Sequence, residues 1–409
     1  MAKGRRTFLI GGGCTAFIKP RATRTTEDMG LEAATKALLD AGITYDTIET
    51  AVVGYCYGDS TCGQRALYNL GLTGIPITNV NNNCSTGSTA LYTANNAVKF
   101  GQAEVALALG FERMKPGSLG TNWPDRPSPT ALLNQKMEEV EIAGLGLNHG
   151  PGAPRMFADG AQEYFQKYGG NIEHLARIAS EDFVHAHGLE NQAIEIVAQA
   201  LTTDNPLAYE SNSAMEVVGY TMSKNCADQV FKDAGFKEGE GRDQVGVVEL
   251  HDCFSANELI MYPALGLCGP DEAHKMVERG DNTYGGKYVI NPSGGLEAKG
   301  HPLGATGLGM HFYIMMQLRN WAGPMQAPGL FDTNDKRGKY GLVHNVGLGG
   351  AVVVSLLRRP EFYKEGGKDG RDRLGYNHAH QCHPITMKDV DKVKSVKETS
   401  PYLMQHAKL

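Results

Sequence analysis

One phrase written twice constrains this chain more than any other feature. Leu39-Asp40-Ala41-Gly42-Ile43 leads to Ala51-Val52-Val53-Gly54, and Lys232-Asp233-Ala234-Gly235-Phe236 leads to Val245-Gly246-Val247-Val248. Each reads as a helix, a glycine stop, a short polar connector and a buried strand. A second parallel joins it. Cys84 opens the small-residue run Ser85-Thr86-Gly87-Ser88 at a helix start, and His301 opens Gly304-Ala305-Thr306-Gly307. The economical reading is a duplicated fold whose halves each present one reactive side chain at a helix N-terminus.

The elements between these landmarks alternate. Phe8-Leu9-Ile10 reads as a strand, Thr26 to Gly42 as a capped helix, and Ile77 to Val80 and Val105 to Leu109 as further strands. Buried strands alternating with helices predict an α/β fold with a largely parallel sheet. We expect a first half over residues 1–222, with an inserted Pro/Gly-rich lobe at about 115–206. A second half over 223–359 and a polar tail over 360–409 complete the division.

Composition removes several function classes. Net charge is -6, from 39 basic and 45 acidic residues, which gives no basic excess to recruit nucleic acid. No apolar run reaches the roughly 18 residues of a membrane span. Residues 1–20 imitate a signal peptide, but Gly11-Gly12-Gly13 interrupt the apolar stretch and no cleavage site follows. The eight cysteines are scattered and form no C-x-x-C, so they read as free thiols open to chemistry. Glycine is abundant, 51 residues without a G-x-y period, which implies tight turns and close backbone approaches.

Three positions carry candidate chemistry. Cys84, in Asn81-Asn82-Asn83-Cys84, stands where a helix dipole and free N–H groups favour a thiolate nucleophile. The alternative is a small buried cysteine. His301, flanked by Gly300 and Gly304, suits a base for that thiol or a hydrogen-bonded core histidine. His251-Asp252-Cys253-Phe254 follows the strand Val245 to Leu250, and strand carboxyl ends face the ligand crevice of open α/β sheets. His251 and Cys253 alternate with Asp252 and so project together. They form a possible zinc pair that lacks further ligands at useful spacing. Cys253 as a proton carrier is a second choice, and a buried thiol beside a hydrogen-bonded histidine is a third. Gly11-Gly12-Gly13 only partly matches a dinucleotide fingerprint. His378, His380, Cys382 and His383 are weighed as a metal site and set aside as a solvated tail. No metal is expected.

Taken together, these segments resemble the thiolases, and within them the sterol-carrier-protein-type 3-ketoacyl-CoA thiolases of peroxisomes. The resemblance runs from about Thr7 to Leu357. It includes Gly58-Asp59-Ser60-Thr61-Cys62-Gly63-Gln64-Arg65, the Asn-Asn-Asn-Cys run, His251-Asp252-Cys253-Phe254, Asp281-Asn282-Thr283-Tyr284-Gly285-Gly286, and Asn291 through Gly307. Most thiolases carry Asn-Glu-Ala-Phe in the third place and a late Cys-x-Gly. This chain has a late His344-Asn345-Val346-Gly347, the double exchange of the sterol-carrier branch.

The resemblance implies a thiolase fold: two βαβαβαββ halves forming a layered αβαβα core with an inserted loop lobe. It implies an acyltransferase of the acetyl-CoA or propanoyl-CoA C-acyltransferase type, acting in lipid β-oxidation. The substrate would be a 3-ketoacyl-CoA, with 2-methyl-branched and sterol side-chain forms among the candidates, coenzyme A as co-substrate and no permanently bound cofactor. Cys84 would be acylated, His301 would activate it and, with His251, help stabilise the enolate oxygen, and Cys253 would carry the proton. The backbone N–H groups of Cys84 and Gly347 would form a second oxyanion hole. A homodimer is implied, contacting near the Asn79-Val80-Asn81 strand and residues 101–111. Two departures from the family bear on activity. The chain ends too soon for a fused sterol-carrier domain. Several dozen residues, among them a Ser-Asp-Gly-Ala-Ala-Ala strand, are also missing between Ala179 and Ser180. A catalytically impaired acyl-CoA-binding relative is therefore the alternative, whereas a condensing synthase is disfavoured by Cys253. Finally, Ala407-Lys408-Leu409 is a close variant of the Ser-Lys-Leu address read by the peroxisomal import receptor, so peroxisomes or related organelles are the expected location.

Overall fold

Gly42 and Gly235, at φ 70° and 93°, end the two helices of the repeated phrase as the sequence predicts. The computed structural model describes residues 4–18, 24–114, 120, 123–142, 152–167 and 181–397. The first half runs β1 (Phe8–Leu9), α1 (Thr26–Ala41), β2 (Thr50–Gly54), α2 (Cys62–Leu67), β3 (Ile77–Val80), α3 (Thr86–Lys99) and β4 (Ala106–Gly110). Helices α4 (Ala131–Ile142), α5 (Gly152–Lys167) and α6 (Glu181–Ala186) follow. The second half opens with β5 (Ile194–Thr202), α7 (Leu207–Glu210), α8 (Ala214–Val217), α9 (Tyr220–Asp233) and β6 (Val245–Leu250). It continues through α10 (Ser255–Ala264), α11 (Ala273–Glu278), β7 (Val289–Ile290), α12 (Gly295–Lys299) and α13 (Leu303–Arg319) to β8 (Tyr340–Gly347) and β9 (Ala351–Arg358). Two short helices, α14 (Gly370–Leu374) and α15 (Met387–Val393), come last.

The second half forms the sheet β5-β9-β8-β6-β7, and the first half forms β3-β2-β4. Numbered within each half, the order is 3-2-4-5-1 in the second and 3-2-4 in the first. Among the described residues no fifth strand follows β4, so β4 is bonded to β2 alone. With no neighbour in its own sheet, β1 pairs antiparallel with β5, Phe8 opposite Glu195, because unpaired strand groups are costly once buried. Among the described residues the first half thus has four strands against the second half's five, a departure from a symmetric duplication. The boundary also needs correction. Strand β5 belongs to the second half's sheet, so that half begins before Ile194 rather than at residue 223, and the inserted lobe stops short of β5.

Helices α3 and α13 lie back to back between the two sheets, in an αβαβα layering with α1 and α9 outside. Glycine sets their separation. A Cβ on Gly87 would lie 2.9 Å from the amide nitrogens of Gly307 and Leu308, and one on Gly307 would lie 2.2 Å from Ser88 Oγ. Backbones in such contact bring the two helix N-termini together, and with them Cys84 and His301.

The expected free tail from residue 360 is also corrected. Residues 360–397 pack onto the body, with Val390 and Val393 buried and α14 and α15 lying on α1. Arg373 donates from Nε to the Leu39 carbonyl at 2.9 Å, and Val396 N–H to Asp46 at 2.7 Å. Two apolar anchors and paired polar groups suffice to dock a segment whose composition reads as solvated. Ala407, Lys408 and Leu409 lie outside the described residues.

Candidate active site

Cys84 sits in a loop held by its own small polar side chains. Asn83 adopts φ 48°. Thr86 donates from Oγ1 to the Asn83 carbonyl at 2.6 Å and accepts from Asn82 N–H at 2.8 Å, while Ser85 Oγ donates to Asn82 O at 2.8 Å. These bonds fix the turn that carries Cys84 onto α3. Cys84 is buried, with 8% of the residue exposed. Burial pushes it up to about 12, with Glu112 adding to the rise and its own backbone N–H opposing it. Burial thus opposes the thiolate expected at a helix start and favours the neutral thiol.

His301, at the entry to α13, is brought close by the helix crossing. One ligand-capable atom each of Cys84, His251 and His301 falls within 4.8 Å of the others. The imidazole rings of His251 and His301 meet edge to face, with centroids 4.9 Å apart. Burial first, and then Lys299, takes His301 down to about 4, so it is a neutral base at physiological pH. Burial, together with His301 and His344, likewise holds His251 well below its ordinary value.

The hydrogen bonds behind the two rings give them opposite faces. Thr306 Oγ1 donates to the Pro302 carbonyl at 3.0 Å, so toward His301 Nδ1, at 2.7 Å, it accepts. His301 is thus the Nδ1–H form with a bare lone pair at Nε2. Asn345 Nδ2 donates to the Cys84 carbonyl at 3.0 Å and also faces His251 Nδ1 at 2.8 Å. Its second N–H therefore goes to Nδ1, which leaves the proton of His251 on Nε2. Both Nε2 atoms are buried without a protein partner. One presents a lone pair and the other a proton.

Cys253 follows His251 off the end of β6. Its thiol is pushed well up by burial, then by neighbouring Cys84 and the carboxyls of Asp252 and Glu297. Asp252 is turned the other way, as strand alternation requires, and accepts from Leu296 N–H at 3.1 Å and Glu297 N–H at 3.4 Å. It thereby ties the end of β6 to α12 and the approach to His301. Gly347 lies against the Cys84 loop, where a Cβ would stand 2.3 Å from the Asn82 carbonyl and 3.0 Å from Ser85 N.

His344, the neighbour of Asn345 in the late loop, projects from the other face of β8. It meets Ser223 at 3.0 Å, away from Cys84. The tail histidines do not converge on a metal site. His378 packs near Trp321 and lies 3.5 Å from Asp40, while His383 stacks on Tyr376. Among the described residues the one metal-capable cluster is Cys84, His251 and His301.

Two further contributors have no role that the sequence motifs assign. Glu112, after β4, accepts at 3.0 Å from the N–H groups of Cys56, Tyr57 and Gly304, and so clamps the loops after β2 and β4 of the first-half sheet to the start of α13. An acidic residue just beyond a buried strand is its only signal. Asn345, inside an apolar strand, is the other. A cavity of about 340 Å³ borders His301, lined by Phe17, Met29, Phe111, Met114 and Pro302.

Comparison with known proteins follows the same outline. The family model described as "Thiolase, N-terminal domain" matches residues 7–150, and "Thiolase C-terminal domain-like" matches residues 207–355. Sterol carrier protein 2 of Oryctolagus cuniculus is 45% identical, over 86% of this chain and 72% of its own. That of Homo sapiens is 44% identical, over 87% and 72%. Non-specific lipid-transfer protein-like 2 of Caenorhabditis elegans is 38% identical, over 86% of this chain and 96% of its own. Among solved structures, an Ltp2-ChsH2(DUF35) aldolase matches at TM-score 0.59 and 16% identity, over 87% of this chain and 98% of that one, a likeness of fold. The Cys84, His251 and His301 constellation thus lies on a thiolase scaffold, in a superfamily of acyltransferases acting on CoA-linked substrates. The chain belongs to the thiolase family, in the branch of its sterol carrier protein 2 relatives.

Proposed function

We propose that the chain cleaves 3-ketoacyl-CoA by thiolysis, releasing a shortened acyl-CoA and acetyl- or propionyl-CoA in lipid β-oxidation. The observation that carries this reading is the pair of oppositely polarised histidines beside one buried thiol. His301 Nε2 takes the Cys84 proton as Sγ attacks the 3-keto carbon. The N–H groups of Cys84 and Gly347 receive the oxyanion, and its collapse breaks the C2–C3 bond. The electron pair passes to the enolate of the departing acyl-CoA, whose oxygen accepts from His251 Nε2–H. Cys253 S–H then protonates C2. In the return half, Cys253 takes the proton of incoming coenzyme A, whose thiolate attacks the acyl group on Cys84, and His301 returns its proton to Sγ. Each proton leaves and comes back, so no resident cofactor is needed. The apolar cavity beside His301 suits an acyl chain.

Cys253→Ser tests the proton carrier. Turnover should fall by about 10²-fold or more, since a hydroxyl is a far weaker acid than a thiol, while Cys84 still takes up the acyl group. Unchanged turnover in a coupled thiolysis assay removes Cys253 from this role.

The three-stranded first-half sheet favours a second reading, a catalytically impaired acyl-CoA-binding relative. That reading predicts acyl-CoA binding without product, and product from wild-type protein discards it. The free edge of β3 is a surface through which two copies would form a homodimer. We also propose peroxisomal location through Ala407-Lys408-Leu409 and the import receptor. A fluorescent protein carrying residues 398–409 at its C-terminus should enter peroxisomes, and loss of Leu409 should leave it diffuse. Diffuse signal from the intact fusion rejects the address.

A further inference from the structure

The cluster of Cys84, His251 and His301 has two possible chemistries. One buried thiol and two imidazoles within 4.8 Å are a set that zinc-type cations favour. A small inward movement of each ligand would bring all three to bonding distance of a single ion. A metal-binding imidazole needs a lone pair facing the ion, and in metal sites the other ring nitrogen accordingly donates to a carboxylate or carbonyl. His301 satisfies that rule, because Thr306 accepts from its Nδ1–H. His251 violates it.

The violation traces to one side chain. The Cys84 carbonyl can only accept, so Asn345 must turn Nδ2 toward it, and the remaining N–H of that nitrogen is aimed at His251 Nδ1. The amide has no freedom to reverse. Its Oδ1 points at Gly307, where a Cβ would lie 2.4 Å away, and reversal would set two carbonyl oxygens against each other. Asn345 is fully buried on β8, so no water competes for these bonds.

We propose that Asn345 is a positioning residue that locks His251 in the Nε2–H form, making the pocket a hydrogen-bond donor and barring zinc-type cations from the Cys84–His251–His301 cluster. A donor at Nδ1 does both at once. It directs a proton toward the place where an enolate oxygen would develop, and it removes the lone pair that a third metal ligand would need. The catalytic half of the inference rests on the thiolase reading above, and the tautomer and metal halves do not.

Asn345→Asp reverses the polarity with little change of shape. Its carboxylate accepts from Nδ1–H, so the His251 lone pair turns to the cluster. Histidine-15N NMR of the substrate-free protein, with the His251 resonance assigned by its loss in His251→Ala, should show Nε2–H in wild type and Nδ1–H in Asn345→Asp. Cobalt(II) titration should give a thiolate-to-metal absorption band in the variant, absent in Cys84→Ala/Asn345→Asp, with affinity about 10–100-fold above wild type. In the thiolysis assay kcat should fall about 10²–10³-fold with KM within about threefold, as when one oxyanion donor is lost. Should the carboxylate prevent folding, Asn345→Ala removes the donor without adding charge, and both tautomers should then be populated. Wild-type His251 found as Nδ1–H, or a folded variant that keeps pure Nε2–H, overturns the proposal. So does equal cobalt affinity in wild type and Asn345→Asp. A correct tautomer pattern in a protein without thiolase activity would instead reject the thiolase reading and leave this inference standing.

Discussion

Cys84→Ala should abolish covalent acyl transfer to the protein. Of the described cysteines, Cys84 alone shares a cluster with two histidines whose Nε2 atoms face inward without partners. Mass spectrometry after mixing with a 3-ketoacyl-CoA should find an adduct on wild type and none on the variant, and an adduct persisting on the variant would move the nucleophile to Cys253. The acidity of the thiol adds a second readout. Burial holds Cys84 at about 12, against about 8.5 for a free cysteine. A raised thiol has less thiolate at any given pH, so iodoacetamide should label it more slowly than free cysteine at pH 7. The rate should still be climbing above pH 9. A plateau below pH 9 would mean that the helix start, rather than burial, governs this thiol.

Arg319→Leu should cost on the order of 3–5 kcal/mol of stability, because it strands a buried carboxylate. Asp40, on α1, and Arg319, at the end of α13, are both fully buried, 2.8 Å apart. Arg319 also donates to the carbonyls of Gln192 at 2.6 Å and Ile10 at 3.0 Å, so one guanidinium joins α1 and α13 to the residues just after β1 and just before β5. Asp40 accepts Gly12 N–H at 2.8 Å and lies 3.5 Å from His378 of the docked tail. Burial pushes the Asp40 carboxyl up, but Arg319, with His378, more than offsets this and holds it far below the usual range. A depressed carboxyl contributes stability fully above its unfolded value of about 3.9 and loses it as pH falls toward the folded value. The stability gap between wild type and variant should therefore be widest near neutrality and narrow below about pH 4. Calorimetry at pH 7 should show Tm lower by about 5–10 °C. A gap that is constant from pH 7 to pH 3 would show that packing, and not the ion pair, accounts for the loss.

Local pattern made the duplication legible. Two glycine-terminated helices leading into apolar strands survive translation into structure because capping and burial act over a few residues. Cys84 and His301 were visible for the same reason, each standing out among small residues at a helix start. The free tail was misread because composition averages over fifty residues, while docking needed only Val390, Val393 and a few paired polar groups. The thiolate expectation at Cys84 counts the helix start, which is visible in sequence, and not burial, which is visible only in the fold.

The repeated unit, the family and the candidate residues of each half follow from local pattern. Their relation in space follows from how the chain closes. Gly87 against Gly307 sets how closely the two halves approach, and Thr306 and Asn345 set which nitrogen of each histidine carries the proton. Cys84 and Asn345 are 261 positions apart, and no periodicity or cap couples residues across such a span. Hydrogen-bond direction arises only once the chain has closed on itself, because it belongs to a pair of atoms in contact rather than to either residue.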